Sequence, residues 1–148
     1  MNSRKVQDLN PYLAEAWAYA DAEWDRIYPN EPNPILVQTY RSVEFQNMYY
    51  KQGRVTLAEI NAERKKFNLA PLKAIENKIV TYAIGGKSKH NIYPSEAFDI
   101  AFIKVGSKQL DYSQRLFKMF YLIISTEYPD IVWGGYFRGL PDYPHFQM

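Results

Sequence analysis

The chain has 148 residues, 47% of them hydrophobic and 23% charged, with a formal net charge of +2 and no cysteine. That length and apolar content suit one folded domain, expected to span residues 1–148, and exclude an intrinsically disordered chain. The missing cysteines exclude disulfides, thiolate metal sites and a cysteine nucleophile. The mild positive charge gives no reason to expect a nucleic-acid partner. The first 20 residues lack the apolar stretch of a signal peptide, and the longest apolar run, Met119 to Ile124, is far short of a membrane span. The expectation is a chain made in the cytoplasm without a membrane anchor, and nothing demands a state beyond the monomer.

Asn10-Pro11 predicts a helix start, with a capping side chain followed by proline at the first helical position. Leu13, Trp17, Ala20, Trp24 and Ile27 follow at helical spacing. Pro29 to Pro34 is a breaker-rich loop, and Ile35 to Tyr40 a short β-prone run. A second helix is predicted from about Ser42 to Gln52, with Gly53 at its C-terminal cap. Thr56 and Glu59 form a capping-box pattern for a third helix ending near Phe67. Lys78 to Ile84, rich in β-branched and aromatic residues, predicts a strand, and Gly85-Gly86 a turn. Ala97 to Val105 predicts another strand. Tyr112, Leu116, Met119, Phe120 and Ile123 mark an amphipathic helix, and Ile131 to Trp133 and His145 to Met148 short final strands.

Helices dominate the first half and strands the second, which predicts an α+β fold: a small, mostly antiparallel sheet with helices packed on one side. The 13 tyrosines and other aromatics read mainly as an aromatic core with hydroxyls at its rim.

The chain has only two histidines, His90 and His145. Imidazole is the commonest metal ligand, and catalytic zinc takes three protein ligands and one water. Asp99 interrupts an apolar run (Ala97, Phe98, Ile100, Ala101, Phe102), so its carboxylate must be metal-bound, paired, or on an edge strand facing water. Pro141 and Pro144 stiffen the segment holding Asp142 and His145. A D-x-x-H spacing there suits a base beside a metal ligand, and equally an ordinary proline-rich surface turn.

Three segments occur in order: Y-R-S with E-x-Q and G-R between Tyr40 and Arg54, S-K-H-N with P-S-x-A-F-D between Ser88 and Asp99, and W-G-G with D-Y-P-H-F-Q from Trp133 to Gln147. Together they resemble the zinc peptidases that include D-alanyl-D-alanine carboxypeptidases and phage L-alanyl-D-glutamate endopeptidases. The resemblance implies one Zn2+ per chain held by His90, Asp99 and His145, with Asp142 as general acid/base. It implies that Arg41 holds the scissile carbonyl oxygen and that Ser88 lies near substrate. The implied substrate is the stem peptide of bacterial peptidoglycan, and the implied role a phage or prophage endolysin that reaches the wall through a membrane pore. The alternatives are a D-alanyl-D-alanine carboxypeptidase or dipeptidase on the same scaffold, and a non-catalytic wall-binding phage protein.

Three departures accompany the likeness. Eight residues separate His90 from Asp99 where the more familiar motif has six, and Ser95 stands at the glycine position. Tyr136 follows Gly134-Gly135, where an acidic residue is common, and Phe98 is bulkier than the usual residue before the aspartate.

Overall fold

The structure is a computed structural model and describes residues 2–148. Its first long element is α1 (Pro11–Ile27), begun as the sequence predicts: Asn10 caps it by accepting from the Tyr12 N–H, and proline occupies the first turn. Leu13, Ala16, Ala20 and Trp24 form its buried stripe. Trp24 buries its rings completely and still places its indole N–H on the Pro32 carbonyl at 3.0 Å, so burial leaves no donor unpaired.

Strand β1 (Asn33–Gln38) follows, starting within the predicted loop. Pro34 is tolerated because β1 is an edge strand, paired only with β2. Helix α2 (Val43–Lys51) lies between the caps Ser42 and Gln52, and α3 (Leu57–Lys66) opens with the Thr56/Glu59 capping box and ends at Phe67. Phe45, Met48 and Ile60 give this helical pair a small core of its own. Lys78 to Ile84, predicted as a strand, is irregular coil without a ladder partner. Its β propensity is outweighed because no strand lies alongside; side chains of α2 and of the turn after it hold the segment instead.

Strand β2 (Ala97–Ile103) is the centre of the sheet. It pairs antiparallel with β1, with the two-residue β3 (Leu110–Asp111) and with β5 (His145–Gln147), and β5 pairs with β4 (Val132–Trp133). Helix α4 (Gln114–Glu127) joins β3 to β4; Tyr112 precedes it and Ser113 is its N-cap. The fold is α+β with an antiparallel sheet, as the element pattern implies. Phe98, Ile100 and Phe102 of β2 point into a core built with α1 and α4. Phe98 stacks on Phe146 at 5.3 Å, which accounts for its bulk: it is a core residue of the face turned away from Asp99. Tyr136 packs edge-on against Tyr121 and Trp133 in a peripheral aromatic cluster.

The long His90–Asp99 connection is tied to the start of the chain. Ser95 is fully buried; its N–H donates to the Asp8 carbonyl at 2.7 Å, and its carbonyl accepts from Asn10 at 2.9 Å. The additional residues therefore dock the loop on the entry to α1, and the serine hydroxyl reaches the Thr39 carbonyl at 3.0 Å.

Candidate metal centre

His90 lies on a single 3₁₀ turn, Lys89–Asn91, capped by Ser88, whose Oγ accepts from the His90 N–H at 3.3 Å. Its Nδ1 is 2.6 Å from the Thr39 carbonyl oxygen. A carbonyl can only accept, so Nδ1 carries the proton and Nε2 is left with a bare lone pair. His145 opens β5 directly opposite Asp99 of β2. Its Nε2 faces the Gln147 side-chain oxygen at 2.8 Å, two residues along the same face of the strand, so in the neutral ring Nε2 carries the proton and the Nδ1 lone pair faces inward.

These two bare nitrogens and one carboxylate oxygen converge. His90 Nε2 is 3.1 Å from Asp99 Oδ1 and 3.2 Å from His145 Nδ1, and His145 Nδ1 is 3.0 Å from Asp99 Oδ1. Three acceptors this close repel unless a cation or a proton lies among them. The edge of a tetrahedron of nitrogen and oxygen ligands around zinc is about 3.3 Å, so the triangle fits one face of such a site. Each imidazole already has the outer hydrogen bond that orients metal-bound histidines. Asp99 lies on the central strand, mostly buried and paired, which excludes the reading of an edge-strand acid facing water.

The electrostatics are consistent with this donor set. Burial holds the His90 pKa below its usual value, against the pull of Asp99, so the ring is neutral. Burial also acts to lower the His145 pKa, but its hydrogen bond to Asp99 and the charges of Asp99 and Asp142 win and raise it. Burial would raise the pKa of Asp99; the two histidines outweigh this and hold its carboxyl well below the usual range. A cation entering the triangle would compete with a proton for the same lone pairs.

Arg41 closes one side. Its Nη2 donates to Asp99 Oδ2 at 3.2 Å, its Nε to Gln38 at 2.8 Å, and its Nη1 to Gln46 at 2.7 Å, while the guanidinium lies 4.9 Å from the centre of the Tyr49 ring. Gln46 is fully buried and passes its amide N–H to the Ala83 carbonyl at 2.7 Å. Gln38, Gln147 and the Thr39 carbonyl are support that the sequence reading did not single out. Gln147 could have been found from its i+2 relation to His145 on a predicted strand, whereas Gln38 and Thr39 reach the site only through the pairing of β1 with β2.

Asp142 is brought to the same cleft by a tight turn. Its N–H donates to the Gly134 carbonyl at 2.8 Å and its carbonyl accepts from His145 N–H at 3.2 Å. A Cβ on Gly134 would lie 2.2 Å from the Asp142 carbonyl oxygen, so only glycine permits this approach. Asp142 is exposed by area but enclosed by the cleft walls; desolvation first, and then the charge of Asp99, push its pKa up to about 6. The cleft, about 960 Å³, is lined by His90, Asp99, His145, Arg41, Asp142 and Ser88. All six residues singled out in the sequence therefore share one cavity.

Two solved structures are similar to this one. The L-Ala D-Glu endopeptidase ChiX of Serratia marcescens superposes with a TM-score of 0.57 at 14% identity, covering 97% of this chain and 82% of its own. The vancomycin-resistance D,D-pentapeptidase VanY of a VanB-type cassette, solved as an E175A mutant with Zn(II), has a TM-score of 0.48 at 20% identity, covering 90% of this chain and 70% of its own. No protein-family model matches the chain. The chain shares the fold of ChiX, and at the centre of that fold it carries a His–Asp–His group able to hold a metal ion.

Proposed function

We propose that this protein is a metal-dependent peptidase acting on the stem peptide of bacterial peptidoglycan, with one zinc ion per chain held by His90, Asp99 and His145. The observation that carries the reading is the convergence of three lone-pair donors within 3.2 Å of one another in a peptide-sized cleft. Two neutral imidazoles and one carboxylate leave a bound dication net positive, with room for a further ligand. Zinc in such a site supplies Lewis acidity, making water nucleophilic near neutral pH and polarising a carbonyl.

The chain's own groups supply the rest. Asp142 takes the proton of the attacking water as a new C–O bond forms at the scissile carbonyl. It then returns the proton to the leaving nitrogen as the C–N bond breaks, giving a carboxylate and an amine. Arg41, held by Gln38 and Gln46, stabilises the negative charge that develops on the carbonyl oxygen. Ser88 fixes the turn that carries His90 and borders the substrate.

The fold shared with an L-Ala D-Glu endopeptidase and the motif likeness to phage members support cleavage between L-alanine and D-glutamate by an endolysin that reaches the wall through a pore. The test is to digest peptidoglycan of several chemotypes with zinc-loaded protein, with and without a chelator, and to identify the products by mass spectrometry. Chelator-sensitive new amino termini at D-glutamate are expected. Loss of a single D-alanine would instead assign a carboxypeptidase, and no cleavage of any chemotype would end the enzymatic reading. Asp142→Ala is expected to bind zinc at full stoichiometry and lose about 10²–10⁴-fold in rate; unchanged lysis by this variant would reject Asp142 as the base.

A further inference from the structure

The segment Lys78–Ile84 has the composition of a strand and no strand beside it. It is pinned from the α2 side. Gln46 donates to the Ala83 carbonyl at 2.7 Å and Arg54 to the Thr81 carbonyl at 3.1 Å. Gly53, at φ +79°, lies so close to Ile79 that a Cβ would come within 2.2 Å of the Ile79 nitrogen. The Ala83 N–H is satisfied by the Thr81 hydroxyl at 3.1 Å. Between the bends at Lys78 and Tyr82 the chain is neither helical nor laddered. Among the described residues, the N–H and C=O of Val80 and Tyr82 have no protein partner, and the two residues are 42% and 63% exposed.

Val80, Thr81, Tyr82 and Ala83 line the same cleft as His90, Asp99 and His145. The charged groups of that cleft are five cations (Arg41, Arg64, Lys87, Lys89 and Arg138) against two carboxylates, Asp99 and Asp142. Of these, Lys89 is neutralised by Glu96 at 2.7 Å. The wall thus offers unpaired backbone groups of a β-prone segment within a positive field. That combination suits an extended peptide carrying carboxylates, bound by strand addition.

We propose that Val80–Tyr82 is a docking edge to which an extended, carboxylate-bearing peptide adds as a short strand, its main chain paired with the free N–H and C=O groups of Val80 and Tyr82. The peptide would run from this edge towards His90, Asp99 and His145. The identity of the occupant as substrate rests on the peptidase reading. The predicted but absent strand is then a strand completed by its ligand.

The test uses zinc-loaded full-length Asp142→Asn protein, so that the probe persists, and a synthetic stem pentapeptide, L-Ala-γ-D-Glu-L-Lys-D-Ala-D-Ala, at saturation. Residue-resolved amide exchange is expected to slow at least about tenfold at Val80 or Tyr82, since an exchanging amide must first break its new bond. Shifts at His90 or His145 without that slowing would overturn strand addition. Cleavage by the wild type without slowing removes the docking edge and leaves the peptidase. Slowing without cleavage removes the peptidase and leaves the edge, and neither signal removes both. A second arm compares Tyr82→Pro, which deletes the N–H, with Tyr82→Ala, which keeps it. The proline variant is expected to show a KM higher by about fivefold, the equivalent of one hydrogen bond, at unchanged melting temperature; equal KM values would overturn the proposal.

Discussion

The two faces of β2 differ sharply in chemistry. On one, Phe98, Ile100 and Phe102 are fully buried against α1 and α4. On the other, Asp99 stands among His90, His145 and Arg41. Alternation along one strand places an aromatic core and a polar cluster on opposite sides of the same backbone. The first face yields free energy in proportion to the area it removes from water. The second concentrates acceptors around a buried carboxylate whose desolvation is offset by Arg41 and the histidines, leaving a negative centre that favours a cation.

The largest effect that would break this division is on stability. Phe102→Ala empties a core site shared with Trp24, Phe117 and Phe120. It is expected to cost about 3–5 kcal/mol in urea unfolding, with zinc per folded chain unchanged. Asp99→Asn keeps the volume and removes the charge. It is expected to change metal-free stability less, yet to lose zinc affinity by at least about 100-fold if Asp99 is a ligand as proposed, because that donor would be lost together with the charge that draws the cation. If Phe102→Ala emptied the metal site in folded protein, or Asp99→Asn left zinc affinity intact by calorimetry, the two faces would not be separable in this way.

Much of the helical framework was legible in the sequence because its rules are local. The Asn10-Pro11 start and the Leu13–Trp24 spacing fix α1, which packs on the first face, and the Thr56/Glu59 box fixes α3, which packs in the separate small core. His90 and His145 stood out as the chain's only histidines, whereas Asp99 joined them through the motif resemblance, and the structure brings all three to one point. What supports them was not. The Thr39 carbonyl and Gln38 reach the centre through β1–β2 pairing, whose register shifts between Leu36 and Gln38 and sets Gln38 opposite Asp99. Lys78 to Ile84 misled for the converse reason: propensity describes what a segment can do, and only tertiary structure supplies the neighbour a strand needs.

A smaller effect sharpens the comparison within the polar face. Gln147 does not join the ligand triangle but accepts from His145 Nε2 at 2.8 Å and so sets which nitrogen faces inward. Gln147→Ala is expected to weaken zinc binding by about 10–100-fold while leaving one site per chain. Gln147→Glu, which keeps an acceptor, should restore most of it. Equal affinity of wild type and Gln147→Ala in competition with a chromophoric chelator would show that the backbone alone orients the ring.

The smallest expected effect is a titration, and it reads the field of the polar face directly. In metal-free protein the Asp142 carboxyl sits at about 6, above its ordinary 3.8, through desolvation and then the charge of Asp99. The sign for folding follows: between about 4 and 6 the folded chain binds the proton that the unfolded chain has released, so this group's contribution to stability falls as pH rises through that window. For catalysis the sign is opposite, since a base must be ionised, and an Asp142 that stayed at about 6 would set an acid limb there. A dication in the His90–Asp99–His145 triangle reverses the dominant charge near Asp142 and favours its ionised form. Carbon-detected NMR is expected to place the Asp142 midpoint near 6 without metal and at least about one unit lower with zinc, where 1.4 kcal/mol separates the two states per unit. Asp99→Asn should lower it in metal-free protein for the same electrostatic reason. A midpoint indifferent to both changes would mean that Asp142 does not share a field with the triangle, and a carboxylate outside that field could not serve as its base.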